Sequence, residues 1–298
     1  MKLSVKITLI FSAMMLTALF ILSFSAGQIS INGANAFTKA RFLNMSTSIQ
    51  RDLEQDVSMM QMTLRELSEN TTFMAALNQM VRDDSADQKM ALAAGRAALQ
   101  QLLQSPLVDT FYRVTFYTRD GIFITTHVER EQRLISGSEE AKREISTLSW
   151  LDRADDTYES ILLAPHQDIF SPNSQTRVYG LVQQIRYRGN AIGYIEVSNQ
   201  YEDLERIMEF VDNPMVSVEA IFGDGQRLFE SQPASWSWPA DVPENTFTII
   251  ELEGDTSRAV LYTRLPRLGL RLYISQDGVF NQLANASQRR EMFRLALL

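Results

Sequence analysis

The sequence contains no cysteine, and only two of its 298 residues are histidine. Without cysteine there is no disulfide, no thiolate metal ligand and no cysteine nucleophile. Basic residues are in the minority, since 28 Lys and Arg stand against 36 Asp and Glu and give a formal net charge of −8. This balance argues against a broad basic face for nucleic acid. Composition therefore points away from a metalloenzyme, a hydrolase with a histidine base and a DNA-binding protein.

Length and bulk composition are otherwise those of an ordinary folded protein. Hydrophobic residues make up 45% of the chain and charged residues 21%, which excludes wholesale disorder and a collagen-like fibre. A chain of this size supports one large domain or two modest ones, each around its own core.

A long uncharged segment near the N-terminus sets the expected location. After Lys2 and Lys6 an apolar run extends over Ile7–Phe24. As a helix it would reach roughly 27 Å, close to the thickness of a bilayer core. Lysines ahead of a membrane helix favour a cytoplasmic N-terminus. We therefore expect a cytoplasmic tip and transmembrane helix over residues 1–27, with the bulk of the chain outside the cell membrane.

A cleaved signal peptide is the alternative for this segment. Small residues occur at cleavage-like spacing in Ser23-Phe24-Ser25 and in Ala34-Asn35-Ala36. The apolar run is longer than a usual signal-peptide core, and the second site lies well beyond it, which favours the uncleaved anchor. In both cases the rest of the chain is exported.

The segment after the apolar run has the pattern of a long helix. No proline occurs between Gly33 and Ala76, and apolar residues recur at steps of three or four, as on one face of an α-helix. This stripe consists of Phe42, Met45, Ile49, Leu53, Val57, Met60, Leu64 and Leu67. We predict a signalling helix over residues 28–80. Its stripe either packs on its own domain or, in the membrane-proximal half, also pairs with a second copy in a homodimer.

Two copies of one β-rich unit follow. Asp120-Gly121 lies between short apolar segments, and Asp224-Gly225 lies in the same setting about 104 residues later. Asp-Gly between β-rich segments is a strong hairpin signal. The predicted hairpin strands are Arg113–Tyr117 with Ile122–Thr126, and Val216–Phe222 with Arg227–Glu230.

Each hairpin is followed by a variable stretch, a longer strand pair and a short helix. The strand pairs are Thr176–Tyr187 with Ala191–Ser198 and Ser257–Arg264 with Leu270–Gln276, and the helices are Glu202–Val211 and Gly278 to about Ser287. Repeated order indicates related domains in tandem. The expected fold class is α+β, with two antiparallel-sheet modules over residues 81–212 and 213–288 and a turn at Pro214 between them.

At the C-terminal end, arginines precede a short apolar segment. Arg289, Arg290 and Arg294 lead into Leu295-Ala296-Leu297-Leu298. We expect residues 289–298 to begin a second membrane helix. Arginines on the outer side oppose the usual charge bias, so a single span is the alternative.

This order of elements resembles the double Cache (PAS-like) sensor domain. The resemblance covers about residues 30–288 and rests on the anchor, the long helix, the hairpin at Asp120-Gly121, the smaller second sheet and the segment Arg188-Gly189-Asn190-Ala191-Ile192-Gly193-Tyr194-Ile195-Glu196-Val197. Such domains are extracytoplasmic ligand-binding modules of bacterial sensor histidine kinases, chemoreceptors and related transmembrane proteins. Among these the chain looks most like a sensor histidine kinase of a two-component system.

The resemblance implies a ligand pocket on the sheet of the first, membrane-distal module. Aromatic walls with a carboxylate and a cation suit a small zwitterion or polar organic solute, such as an amino acid or an organic acid. Tyr117, Trp150 and Tyr179 would supply the walls. Arg153 would bind a carboxylate and Asp168 an ammonium group.

His166 is the sixth implied ligand-binding residue. It lies in Ala164–Ser171, a segment that resembles the family's loop between helix and central strand. The amino-acid-binding subset of the family carries an arginine just before its tryptophan pair. This sequence has Leu148 and Ser149 there.

Four of the six site residues also have an ordinary structural explanation. Trp150 fits a core plug at a helix end, and Arg153, beside several aspartates, fits a solvated surface charge. Asp168 fits a turn cap, and His166 fits a loop residue without a special role.

No cofactor or metal ion is expected. Gly223-Asp224-Gly225 is a hairpin turn and not the strand-to-helix junction of a phosphate-binding loop. The cluster Asp152, Asp155, Asp156 and Glu159 lacks the alternating spacing and the glycine of a calcium loop. No paired carboxylates or nucleophile–base set stands out, so catalytic activity is not expected in this chain.

The sequence therefore predicts the extracytoplasmic ligand-sensing region of a membrane-bound sensor histidine kinase. A small solute bound in the distal module would shift the long helix of a dimer and act on a response regulator through a cytoplasmic part. One alternative is the sensor region of a chemoreceptor, nucleotide cyclase or membrane-tethered transcriptional regulator. The other is an anchored binding or adhesion protein without cytoplasmic output.

Overall fold

A computed structural model describes residues 3–82, 93–95, 97–99, 110–126, 134–171, 175–209, 216–231, 243–252 and 256–277. The fold is α+β, as predicted, with a long N-terminal helix and two antiparallel sheets. The helix predicted from Gly278 and the membrane helix predicted over residues 289–298 lie outside the described residues.

The apolar run and the signalling helix form one continuous element, helix α1 (Leu3–Glu69). Large apolar side chains between Phe11 and Phe24 are exposed. Among the described residues, α1 is the one helix with the length and apolar composition to cross a membrane. Asn70 then starts helix α2 (Thr71–Arg82), because its side-chain oxygen accepts a hydrogen bond from the backbone N of Phe73 at 2.9 Å.

All eight residues of the predicted stripe on α1 are buried, from Phe42 to Leu67. They form one hydrophobic cluster with α2 and with one face of each sheet. Packing of the stripe on its own domain is therefore confirmed. Pairing with a second copy stays a prediction.

The first sheet has five antiparallel strands in the order β2-β1-β5-β4-β3. Its strands are β1 (Arg113–Tyr117), β2 (Phe123–Thr125), β3 (Ile161–Gln167), β4 (Arg177–Tyr187) and β5 (Asn190–Gln200). Helices α3 (Glu139–Ser146) and α4 (Leu151–Asp155) lie between β2 and β3, and α5 (Tyr201–Met208) follows β5.

The second sheet repeats this topology in the order β7-β6-β10-β9-β8. Its strands are β6 (Val216–Phe222), β7 (Arg227–Glu230), β8 (Phe247–Leu252), β9 (Thr256–Leu265) and β10 (Leu270–Asp277). In both sheets a hairpin comes first and the last strand of the module pairs with the first. The tandem repeat predicted from the two Asp-Gly turns is confirmed.

The edge strand β3 corrects the loop expected over Ala164–Ser171. Its residues as far as Gln167 are paired with β4, with Pro165 inside the strand and a register shift between Leu163 and His166. The expectation of a loop is wrong here because an edge strand tolerates proline, whose missing N–H need not interrupt the pairing.

Both faces of the first sheet are covered. One face packs on α1, α2 and α5, and the other packs on α3 and α4 in a second cluster that includes Tyr117, Trp150 and Phe170. Gly180 lets β4 and β5 approach closely, since a Cβ at this position would lie 2.3 Å from the carbonyl oxygen of Val197. The face toward α3 and α4 carries the candidate site.

Candidate ligand site

A small recess lies on the α3 and α4 side of the first sheet. The space in front of its lining residues amounts to about 180 Å³ when the open solvent there is included. Between the packed side chains themselves there is no room for a water molecule. It is lined by Leu148, Trp150, His166, Gln167, Asp168, Ile169, Phe170 and Glu196. The structure thus brings Trp150, His166 and Asp168 together at one place.

Asp168, directly after β3, supplies a fully buried carboxylate. Its Oδ1 forms an ion pair with Arg113 of β1 and accepts a hydrogen bond from the backbone N of Phe170 at 2.9 Å. The carboxylate therefore caps the turn at Asp168–Phe170, whereas the turn predicted at Ser171-Pro172-Asn173 lies partly outside the described residues. Its Oδ2 is buried and has no hydrogen-bond partner among the described residues. Leaving a buried acceptor unpaired costs about 1–3 kcal/mol, so a donor placed there is favoured.

Arg113 supports Asp168 without lining the recess. Its side chain is 3% exposed, and its guanidinium carbon lies 5.3 Å from the ring centroid of Tyr112 and 5.4 Å from that of Phe170. Its Nε, like Asp168 Oδ2, is buried and unpaired within the described part of the chain. Within the described residues, each partner of the ion pair therefore keeps one buried polar atom without a hydrogen bond.

A second charged pair, His166 and Glu196, lies at the same recess. Nε2 of His166 lies 3.5 Å from Oε1 of Glu196, and Nδ1 lies 3.0 Å from the carbonyl oxygen of Ala164. Burial alone lowers the pKa of His166, but the hydrogen bond and negative charge of Glu196 outweigh burial and the net pKa is raised. For Glu196 burial favours a higher pKa, and His166, Arg113 and Tyr117 together hold it below its ordinary value.

Tyr117 joins this pair to the tryptophan wall. Its hydroxyl accepts a hydrogen bond from Nε1 of Trp150 at 3.0 Å and donates one to Oε2 of Glu196 at 3.3 Å. Burial, followed by the charge of Glu196, raises the pKa of Tyr117 well above its usual value, so the phenol keeps its proton. The rings of Trp150 and His166 lie 4.4 Å apart. Tyr117 therefore lies behind the recess and holds two of its lining residues in place.

Helix α4, which follows Trp150, is fastened to the sheet by a polar network. Arg119 donates from Nη2 to Asp152 at 2.9 Å and to Asp155 at 2.5 Å. Tyr194 and Gln184 each donate to Oδ1 of Asp155 at 2.6 Å. These bonds fix the segment that carries Trp150, so movement of the tryptophan wall is coupled to movement of α4.

Two of the predicted site residues lie elsewhere. Arg153 is half-exposed, and its Nη1 lies 3.6 Å from Oδ2 of Asp224 in the hairpin turn of the second sheet. Tyr179 is on the opposite face of the sheet, where its hydroxyl donates to Oδ2 of Asp56 on α1 at 2.7 Å. The structure therefore does not bring Arg153 or Tyr179 to the recess.

Arg113, Glu196 and Phe170 are site residues that sequence reasoning missed. The sequence did contain a signal for the first two, because each is the one charged residue of its strand. In the register of β1 and β5, Thr115 is opposite Glu196 and Arg113 is opposite Ser198. The side chains of Arg113 and Glu196 consequently lie on the face of the sheet that also carries Tyr117.

Comparison of the sequence with protein-family models and with curated proteins gives no match. Solved structures, in contrast, share the fold. The ligand-binding domain of the Campylobacter jejuni chemoreceptor Tlp3 in complex with L-valine superposes with a TM-score of 0.58 at 14% identity, over 84% of this chain and 97% of that chain. The ligand-binding domain of the Pseudomonas fluorescens chemoreceptor CtaA in complex with L-isoleucine gives 0.51 at 16% identity, over 84% and 95%. These are Cache-type sensory domains, so the double Cache fold is confirmed.

Proposed function

We propose that the chain is the extracytoplasmic sensory region of a membrane-anchored signalling protein, which binds a small organic solute in the recess of the first module. The observation that carries this proposal is the buried Oδ2 of Asp168, which has no partner among the described residues, at a recess with aromatic and apolar walls. Unpaired buried polar atoms together with apolar walls are typical of ligand sites. The exposed apolar stretch of α1 around Phe11–Phe24 supports the membrane anchor.

Binding at this site would require the recess to open. Because it has no room even for water, a solute must displace part of its wall. The wall opposite the sheet is formed by Trp150, which precedes α4, so opening would have to displace this segment and break hydrogen bonds that hold it to the sheet. A ligand that binds only the open arrangement shifts the population toward it.

The other face of the same sheet provides a route to α1. Asp56 of α1 accepts hydrogen bonds from Tyr179 of β4 at 2.7 Å and from Asn199 of β5 at 3.1 Å. Glu196 of the recess lies three positions before Asn199 on β5. A shift of β5 caused by the ligand would therefore act on α1 through these two donors, and α1 would carry it toward the membrane.

The output is proposed to be that of a chemoreceptor, with a sensor histidine kinase and response regulator as the alternative. The chemoreceptor reading is supported by the source of the similar structures. A homodimer is proposed because a single helix that leaves a bilayer needs a partner against which to move. Light scattering of the detergent-solubilised chain tests the dimer. A chimera that places residues 1–298 on the cytoplasmic part of a chemoreceptor tests the output, and ligand-dependent swimming bias is the expected result.

A thermal-shift screen of the full chain in nanodiscs tests the ligand site. The library contains amino acids, amines, organic acids, sugars and peptides, and a specific ligand at a hundredfold over its Kd adds about 2.7 kcal/mol of stability. Leu148→Phe fills the recess without removing a hydrogen bond and should abolish the shift. Ile135→Phe, at a position that is 75% exposed, is the matched control and should keep it. A shift that survives Leu148→Phe would move the site elsewhere, and the lack of any ligand would contradict small-molecule sensing.

A further inference from the structure

Resting on the proposed function, we infer that the ligand of the recess is an organic amine cation with an apolar body, and that an α-carboxylate on the ligand weakens binding. Such a recess would discriminate against the free amino acids that a zwitterion site would bind.

The charges at the recess favour a cation. Asp168 and Glu196 both line it, and among its described lining residues the one basic side chain is His166, whose Nε2 faces Glu196. Arg113 lies outside the lining with its Nη2 committed to Asp168. An ammonium group placed at Oδ2 of Asp168 would gain a charge-assisted hydrogen bond to an oxygen that has none within the described part of the chain.

His166 offers no free donor to a ligand carboxylate. One ring nitrogen lies 3.5 Å from Oε1 of Glu196 and the other lies 3.0 Å from the carbonyl oxygen of Ala164. When the ring is protonated, both N–H groups are therefore directed at protein acceptors. A ligand carboxylate would have to break one of these contacts and would then lie beside two protein carboxylates.

The walls suit an apolar body attached to the cation. Trp150 and Phe170 provide aromatic surface, and Leu148 and Ile169 provide aliphatic surface. An indole face near an ammonium group adds a cation–π attraction. Of these four side chains only Trp150 has an N–H, and it already donates to Tyr117, so they offer no donor to a desolvated carboxylate.

Paired ligands that differ only in the α-carboxylate test the inference. Calorimetric titration of the full chain in nanodiscs compares 3-methylbutylamine with L-leucine, and 2-phenylethylamine with L-phenylalanine; 4-methylpentanoic acid represents the carboxylate alone. We expect at least one amine to bind about tenfold or more tightly than its amino acid, and the acid not to bind. Leu148→Phe should weaken the amine, and Ile135→Phe should not.

Glu196→Gln tests the role of negative charge without changing the shape of the side chain. We expect it to reduce the ratio of amine to amino acid affinity, whereas Glu159→Gln at an exposed position should leave the ratio unchanged. An amino acid that binds as tightly as its amine, and is weakened by Leu148→Phe, overturns the amine inference and leaves the proposed sensor intact. If the broad library yields a ligand while no amine binds, the inference alone falls. If neither set yields a ligand, the proposed function falls with it.

Discussion

The indole nitrogen of Trp150 donates a hydrogen bond to the phenolic oxygen of Tyr117 across 3.0 Å, with both side chains buried. Through this bond the tryptophan wall of the recess is attached to the sheet. The same phenol donates to Glu196, which in turn contacts His166. A chain of polar contacts therefore runs behind the recess from the aromatic wall to the charged pair.

Removing the phenolic oxygen should weaken the fold. Tyr117→Phe leaves the Trp150 N–H and one Glu196 oxygen without a partner in a buried site, so we expect the free energy of unfolding to fall by about 1–3 kcal/mol. Urea denaturation measures it. Tyr158→Phe is the control, since Tyr158 is 74% exposed and should show a change within error. Equal stabilities for the two variants would contradict the importance of the Tyr117 hydroxyl.

The Arg113–Asp168 pair should be far more sensitive to single than to double substitution. Asp168→Asn leaves the buried Arg113 charge uncompensated, and loss of one partner of such a pair costs about 3–5 kcal/mol. The double variant Arg113→Met with Asp168→Leu removes both charges and should be more stable than the Asp168→Asn single variant. Denaturation midpoints of the single and double variants test this order of stability.

The exposed pair between Arg65 and Glu69 provides the control for this experiment. Their side chains are 78% and 65% exposed although their nitrogen and oxygen lie 2.7 Å apart, and surface pairs contribute little. Glu69→Gln should leave the midpoint unchanged. A double variant at Arg113 and Asp168 that is less stable than both singles would refute the account of the buried pair.

His166 and Glu196 should make stability depend on pH in a defined direction. The folded-state pKa of His166 is raised above 6.5, so its contribution is full below about 6.5 and is lost as the pH rises through the raised value. The pKa of Glu196 is lowered below 4.5, so its contribution is present above about 4.5 and is lost as the pH falls through the lowered value. The stability difference between wild type and His166→Gln should therefore be largest between about pH 4.5 and 6.5 and shrink at alkaline pH.

Two measurements check this pH dependence. Urea titrations of wild type and His166→Gln at several pH values give the stability difference. NMR of the His127→Gln variant, which leaves His166 as the single histidine of a chain that has two, gives the pKa directly. A value below 6.5 for His166 would be incompatible with the prediction.

The bond between Tyr179 and Asp56 should stabilise the contact of α1 with the first sheet. Burial raises the pKa of Asp56, and its hydrogen bonds from Tyr179 and Asn199 work against that rise. Tyr179→Phe removes one of these donors, so we expect a loss of about 1–2 kcal/mol and faster hydrogen exchange of α1 amides around Asp56. Tyr187→Phe on the same strand is the control. Unchanged exchange in Tyr179→Phe would argue against a structural link at this point.

Local signals predicted much of the fold. The two Asp-Gly turns identified both hairpins, because turn chemistry is local, and the stripe from Phe42 to Leu67 identified the buried face of α1, because its period is helical. Pro165 concealed the edge strand β3, since the position of a strand within a sheet is decided by partners distant in sequence. No local pattern contains that information.

The candidate site was predicted only in part for the same reason. Trp150 and Asp168 stood out by residue type, but the partners Arg113 and Glu196 come from strands whose adjacency depends on the sheet order. Tyr179 was expected at the ligand side. Strand β4 is buried on both faces over most of its length, so alternation of apolar and polar residues does not reveal which face of the sheet each side chain joins.

The unbroken course of α1 makes it a lever arm. The part from Phe42 to Glu69 packs on the two sheets through its buried stripe, whereas the large apolar side chains between Phe11 and Phe24 are exposed. At about 1.5 Å per residue, the part from Phe42 to Glu69 measures roughly 40 Å and the part of α1 before Phe42 roughly 60 Å. A tilt about Phe42 that displaces the Glu69 end by 1 Å would therefore displace the N-terminal end by about 1.5 Å. An axial slide would move both ends by the same distance. Small rearrangements at the sheets are in this way geometrically enlarged before they reach the apolar end of the helix.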